Sequence, residues 1–269
     1  MSPAEGRVPH GAARIIGAFL RAHALAPGLG GVVVGLSGGI DSALTARLAR
    51  DALGAEHVLG VLLPDGGPDA AIEEETVAYA RELGIALRKV PISPLLESFR
   101  TALPEVTDRM TVGNTAARLR MTVLYALARE RHLLVAGTGN KSELLLGYFT
   151  KYGDGGADLL PIGDLYKTDV WALSEELGLP LPVRERAPTA GFWPGQTDEE
   201  EIGASYVVVD RVLRAVEELR PEDEIPALTG VAEATVRSIV GRVAANRHKR
   251  RLPPVPKLGL RTVGLDWRD

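Results

Sequence analysis

The chain has 269 residues, is 45% hydrophobic and 25% charged, and carries a formal net charge of −4. That balance is ordinary for a globular protein, and the negative charge excludes a general polyanion binder. There is no cysteine, which excludes disulfides, thiolate metal sites and cysteine nucleophiles together.

No stretch approaches the roughly 20 apolar residues of a membrane span. The opening "MSPAEGRVPHGAARIIGAFL" lacks the apolar run and cleavage site of a signal peptide. A soluble cytoplasmic protein with no membrane partner is expected. The basic run "NRHKRR" at 246–251 reads as a solvated helix end, so no nucleic-acid partner is expected.

In chain order, "GVVVGL" (31–36) reads as a buried strand because it is short, apolar and β-branched. "DSALTARLARDALG" follows with helical spacing and stops at Gly54, a C-terminal cap signal. "HVLGVLLP" (57–64) is a second strand. The acidic-start segment 69–84 predicts a helix closed by Gly84, and "IALRKVPI" (85–92) a third strand. A long helix is expected over 115–132, then a fourth strand in "LLVAGTG" (133–139).

The alternation predicts an α/β fold: a Rossmann-like parallel sheet with helices on both faces. Beyond residue 150 the chain turns irregular and Gly-rich. Helices are expected at 167–178, 200–219 and 231–250, giving a helical C-terminal part. With no repeat or linker, residues 1–269 are expected to form one domain.

The chemistry centres on "GLSGGIDS" (35–42), placed where a strand ends and a helix begins. Ligands of open parallel sheets bind at that edge. Gly38 and Gly39 let the backbone approach an anion, and the helix start aims free N–H groups at it. Ser37 and Ser42 add hydroxyl donors. It is not a Walker loop, because the lysine of G-x-x-x-x-G-K-[ST] is missing. Asp41 stands close behind the glycines instead. A carboxylate beside a polyphosphate needs a cation between them, and Mg²⁺ on carboxylates and phosphate oxygens is the usual solution. An isolated aspartate there would simply favour the helix N-terminus.

The loop resembles the PP-loop of ATP pyrophosphatases, which release pyrophosphate while adenylating a substrate. Further segments narrow the resemblance: "NTAARLRM" (114–121), "GTGNKSE" (137–143), the block at 147–180, "PTAGFWPGQTDEE" (188–200) and "HKR" (248–250). Together these resemble the motif set of ammonia-dependent NAD synthetases, of the adenine-nucleotide alpha-hydrolase fold type.

The resemblance implies ATP-dependent amidation of deamido-NAD to NAD through an adenylated intermediate, with ATP as co-substrate and Mg²⁺ as cofactor. It implies that Gly35, Leu36, Ser37, Gly38, Gly39, Ile40, Asp41 and Ser42 hold the ATP phosphates, with Thr138, Lys167 and Thr189 also on ATP. Asp41 and Glu143 would bind Mg²⁺. Arg118, Lys151, Asp158, His248 and Lys249 would contact deamido-NAD. Lys167 would be catalytic, and Asp154 would orient or deprotonate the incoming ammonium. It also implies a homodimer. The segment 60–71 departs from the family in having Leu62 where an arginine is typical, and in its shortness, so no ATP contact is assigned to it.

These roles agree with the chemistry. Glu143 lies just past a strand C-terminus on the same sheet edge as Asp41. Lys167 could neutralise charge developing at the α-phosphate, and Arg118 offers a fixed donor fork. Without the motifs, each of these would read as an ordinary exposed helix residue. The Gly/Pro-rich stretches 104–114 and 187–200 are candidate lids. Another adenylating enzyme of GMP synthetase type, or a nucleotide-sensing module, remains open at this point. A nitrilase-type glutaminase needs a cysteine, so use of free ammonia is expected.

Overall fold

The computed structural model describes residues 7–66, 70–193 and 195–267. Part of the segment 60–71 and of the N-terminal stretch therefore lies outside the described residues. A helix, α1 (Ala12–Ala24), precedes the first strand, β1 (Val32–Leu36). Then come α2 (Ile40–Leu53), β2 (Val58–Leu62), α3 (Ala70–Leu83), β3 (Ala86–Lys89), α4 (Ser93–Ala102), α5 (Arg109–Arg131) and β4 (Leu134–Ala136). Beyond β4 the regular elements are α6 (Lys141–Leu146), α7 (Lys167–Glu176), α8 (Leu181–Glu185), α9 (Asp198–Ile202), α10 (Tyr206–Glu217), α11 (Ile225–Thr229) and α12 (Glu233–Ala245).

The four strands are parallel, in the order β3-β2-β1-β4. Side chains alternate across the sheet and divide the core in two. Val32, Val34 and Leu36 of β1 face one cluster with Leu44 and Leu48 of α2, Tyr79 of α3, Val170 of α7 and Leu213 of α10. Val33, Leu59, Val61 and Val135 face the other, with Leu96 of α4 and Ala116 and Ala128 of α5. The expected doubly covered parallel sheet is what the chain forms.

The order also positions the site. From β1 the chain moves outward through β2 to β3, then returns to place β4 on the other side of β1. The crevice beyond the C-terminal ends of β1 and β4 is thus the point where the winding reverses, the preferred ligand position in such sheets. Two loops enter it: residues 37–39 before α2, and residues 137–140 before α6.

Candidate active site

At the first loop, Ser42 is buried and its hydroxyl ties the turn together. It donates to the Gly39 carbonyl at 2.9 Å and accepts from the Ser37 amide at 3.3 Å. The Gly39 amide donates to Ser37 Oγ at 3.2 Å. Gly38 has φ +80°, and a Cβ there would sit 2.4 Å from Ile72 Cγ2. Only glycine meets both constraints cheaply. Leu36 and Ile40 are buried in the core, so those two positions offer a ligand their main chain and not their side chains. Gly35 is the penultimate residue of β1.

Asp41 lies in the first turn of α2. Across the crevice, Asn140 caps α6: its Oδ1 accepts from the Glu143 amide at 3.0 Å, while Glu143 Oε2 accepts from the Asn140 amide at 3.3 Å. Asn140 also donates from Nδ2 to Asp41 Oδ1 at 2.9 Å. One buried amide thus locks the two loops and both carboxylates into register.

Lys167, the first residue of α7, closes the group. It is 1% exposed. Its Nζ donates to Asp41 Oδ2 and lies 3.7 Å from Glu143 Oε1. Burial alone would pull this ammonium down, but the Asp41 and Glu143 carboxylates outweigh it and hold it above the usual lysine range. Burial, and then the neighbouring Asp41 charge, push the Glu143 carboxyl well above the carboxylate range. A lysine at a helix N-terminus faces the wrong end of the dipole, so its place needs support. The Lys167 amide donates to Ser142 Oγ at 2.9 Å and the Thr168 amide to Asp210 Oδ2 at 2.8 Å, with Ser142 itself bonded to Asp210.

Among the described residues no three histidine, aspartate or glutamate side chains form a metal cage. Mg²⁺ beside a nucleotide takes only one or two protein carboxylates, with phosphate and water completing its shell, and two carboxylates converge here on the position of one cation. Asp41 and Glu143 therefore fit such an ion.

Thr138 is half-buried on the loop between β4 and α6. Thr189 is exposed, its Oγ1 accepting from the Gly191 amide at 3.0 Å. The two candidate lids meet. The ring of Phe192 fills the space where a Cβ on Gly113 would lie, and the Arg109 guanidinium stands 5.2 Å from the Trp193 ring. The first stretch differs from expectation, however: from Arg109 it is helix, because Asp108 caps α5 by accepting from the Thr111 amide.

A second group gathers on the loop 147–158. Arg118 Nε donates to the Lys151 carbonyl at 3.3 Å, and Lys151 Nζ to the His248 carbonyl at 3.0 Å. Lys249 Nζ donates to the carbonyls of Gly147 at 2.7 Å and Phe149 at 2.9 Å. Asp154 accepts from the Thr150 amide at 2.8 Å. Among the described residues no hydrogen bond or ion pair joins Asp154 to Asp41, Glu143 or Lys167. Asp158 accepts from the Val135 amide at 2.8 Å and from Tyr125 at 3.1 Å, which anchors the loop to β4 and α5.

Sequence reasoning missed Asn140, Asp210, Arg186 and Asp198. Asn140 was findable, since an asparagine with glutamate three residues on is a capping-box signal. Asp210 breaks an otherwise apolar helix face. Arg186, which donates to the Gly38 carbonyl and to Glu75, left no such sign. Asp198 opens a run of four acids that reads as a solvated helix start.

A family model described as NAD synthase matches residues 13–253. An NH(3)-dependent NAD(+) synthetase of Methanosarcina acetivorans is 48% identical over 243 residues, covering 89% of this chain and 95% of that protein. One of Trichlorobacter lovleyi is 42% identical over 255 residues, 95% of this chain and 93% of that one. Among solved structures, the NH3-dependent NAD synthetase of Campylobacter jejuni in complex with the nitrate ion superposes with a TM-score of 0.76 at 32% identity, covering 92% of this chain and 98% of its own. An NMN synthetase of Francisella tularensis superposes with a TM-score of 0.81, also at 32% identity, over 96% and 100%. The chain belongs to the NAD synthase family.

Proposed function

We propose that this chain amidates nicotinate adenine dinucleotide to NAD, using ATP and free ammonia. The observation that carries the reading is Lys167, buried between Asp41 and Glu143 beside the phosphate loop at the reversal of the sheet. In the first step the nicotinate carboxylate oxygen attacks the α-phosphorus of ATP, and the bond to the β-phosphate bridging oxygen breaks. Pyrophosphate leaves. In the second, the ammonia nitrogen attacks the acyl carbon, the bond to AMP breaks, and the nitrogen gives up a proton.

The main chain of residues 35–42 and the hydroxyls of Ser37 and Ser42 hold the phosphates, and Thr138 and Thr189 complete the ATP contacts. Lys167 stabilises charge on the oxygens of the α-phosphate as the bond breaks. Asp41 and Glu143 would hold Mg²⁺, which would supply charge neutralisation to the phosphates. Arg118, Lys151, Asp158, His248 and Lys249 form the dinucleotide side, and Asp154, on the same loop, orients or deprotonates the incoming ammonium. The acyl-adenylate must be kept from water; the stretches 104–114 and 187–200, which meet where Phe192 lies against Gly113, would cover it.

We further propose a two-fold dimer. Of the 23 residues of α5, only Gly113, Ala116, Ala117 and Ala128 are buried, which leaves a long flank for a second copy. Light scattering at micromolar concentration should give twice the chain mass; a fully active monomer would refute this. Among the described residues no helix is long and apolar enough to cross a membrane. The lack of cysteine suits a reducing compartment such as the cytoplasm.

The test of the reaction is product formation from Mg-ATP with the acid dinucleotide, with its mononucleotide counterpart, and with xanthosine monophosphate. The mononucleotide is included because of the likeness to an NMN synthetase. NAD should form from the dinucleotide with ammonium chloride and not with ammonia-free glutamine. Turnover with glutamine alone, or preference for either other acid, would overturn the assignment.

A further inference from the structure

The C-terminal stretch 251–267 is folded inside out. Lys257 Nζ donates to the Leu260 carbonyl at 3.1 Å and pairs with Asp266. The Thr262 amide donates to Asp266 Oδ1 at 2.6 Å. The Thr262 carbonyl accepts from the Leu265, Asp266 and Trp267 amides at 3.0, 3.1 and 3.2 Å. Polar groups thus close a loop over residues 257–267, while its apolar side chains face outward. Leu258 and Leu260 are 92% and 97% exposed, and Val263 and Leu265 are 69% and 64% exposed. Exposed leucines scattered singly are ordinary. Several on one closed loop form the kind of apolar patch that marks a contact surface. A loop already ordered also loses little freedom when it docks.

Position and charge specify what it meets. Its root is pinned, with Lys249 donating to the Gly147 carbonyl at 2.7 Å and Arg250 to the Leu145 carbonyl at 2.6 Å. Lys151 holds the His248 carbonyl, and its own carbonyl accepts from Arg118 of α5. The loop therefore leaves the body beside the α5 flank assigned above to a second copy. Every residue from 251 to 261 is exposed, including Pro253, Pro254 and Pro256, and a proline-rich stem is stiff.

The stretch is basic: Arg251, Lys257 and Arg261 stand against Asp266 alone. The corner where α4 gives way to α5 has the opposite sign. Residues 91–108 carry Glu97, Glu105 and Asp108 against Arg100. From 101 to 110 only Val106 is not exposed. Leu95, Leu103 and Met110 are among the large apolar side chains left uncovered. Loop and corner are both bare on one chain, so the loop does not cover the corner of its own chain. We propose that residues 251–267 form an arm that docks on the α4–α5 corner of a second copy. The leucines of the arm cover Leu95, Leu103 and Met110, and its cations face the acids there. Pairing of arm with arm would bring like charges together, which disfavours it. In a two-fold dimer each chain gives one arm and receives one.

The inference rests on the dimer proposed above, and the experiment separates the two. Sedimentation equilibrium of the full chain gives the dimer Kd. Leu258→Glu with Leu260→Glu should raise it at least tenfold, and Leu95→Asp with Leu103→Asp should do the same from the corner. An equal mixture of these two variants should dimerise more tightly than either alone, because the mixed pair keeps one intact arm on one intact corner. Arg261→Glu should raise the Kd at least threefold, and Glu105→Arg added to it should recover part of the loss. This charge pair carries the test if the leucine variants do not fold.

A wild-type chain that stays monomeric at micromolar concentration refutes the dimer, and the arm with it. A wild-type dimer whose Kd moves less than threefold in the folded arm variants overturns the arm alone. So does a mixture no tighter than its separate variants, the result expected if the arm docked within its own chain or on another protein.

Discussion

Lys167→Met should lower pyrophosphate release by about a thousandfold, the scale of losing one preorganised charge donor at a phosphoryl centre. The substitution shortens the side chain by one atom and removes its charge. It also leaves Asp41 and Glu143 facing each other without a cation. Breaking a buried ion pair from one side costs about 3–5 kcal/mol, so the ligand-free variant should melt well below the wild type.

The sign of its pH dependence follows from the raised Glu143 carboxyl, which lies above its unfolded value. Such a group binds its proton more tightly in the fold. Stability is therefore fullest at low pH and falls as pH climbs through the folded value. Without Lys167 that carboxyl is raised further, so the melting deficit should be smallest near pH 5 and widen above it. A pH-independent deficit would mean that the lysine acts by packing alone. Lys167→Arg should recover part of the stability and little of the rate, since a guanidinium cannot take the place of Nζ between two carboxylates.

Gly38→Ala is the second large effect. The position has φ +80°, and a Cβ would meet Ile72 Cγ2 at 2.4 Å, the Arg186 guanidinium at 2.9 Å and Thr76 Oγ1 at 3.0 Å. Strain at a positive φ costs about 1–3 kcal/mol, and the clash adds to it. The loop must move, and its amides lose their alignment on the phosphates. An increase of the ATP KM by roughly 100-fold is expected, equal to about 2.7 kcal/mol of lost binding. Gly39 is the contrast. It has no positive φ, and its nearest neighbour for a Cβ is Ser37 Oγ at 3.3 Å. Gly39→Ala should fold nearly as well as the wild type while still impairing ATP binding. Equal melting losses at the two positions would contradict the geometry.

Much of the first 140 residues was legible because local signals agreed with the tertiary outcome. The apolar run of β1 and the glycine after α2 placed those elements within a residue or two. The third strand was expected over 85–92 but spans Ala86–Lys89. It is an edge strand with polar, exposed positions, and its apolar neighbour Ile92 enters the core under α5 instead. The helix expected over 200–219 is two helices. Gly203 at φ +82° ends α9, and Ser205 caps α10 by accepting from the Val208 amide. The α1 and α4 segments were not assigned, although each is amphipathic and buries one stripe, α1 through Leu20 and Ala24 and α4 through Leu96.

At the site, Asp41, Glu143 and Lys167 were recognisable because they sit in contiguous motifs. The same motifs named Arg118, Lys151, Asp154, His248 and Lys249, which the fold gathers around the loop 147–158. Asp198 and Arg186 were not recognisable. Their significance arises from burial and from partners more than 100 residues away or on another helix, and an acidic or basic residue in a polar stretch gives no hint of either.

The central claim is that the two carboxylates and Lys167 serve the transfer of AMP to a carboxylate before ammonia takes part. Rapid-quench measurement of pyrophosphate, with Mg-ATP and the acid dinucleotide but no ammonia, tests this most directly. A burst stoichiometric with active sites is expected, followed by slow turnover, with the bound adenylate converted to NAD and AMP when ammonium is added. Pyrophosphate that appears only together with NAD, or none at all from folded protein, would contradict it.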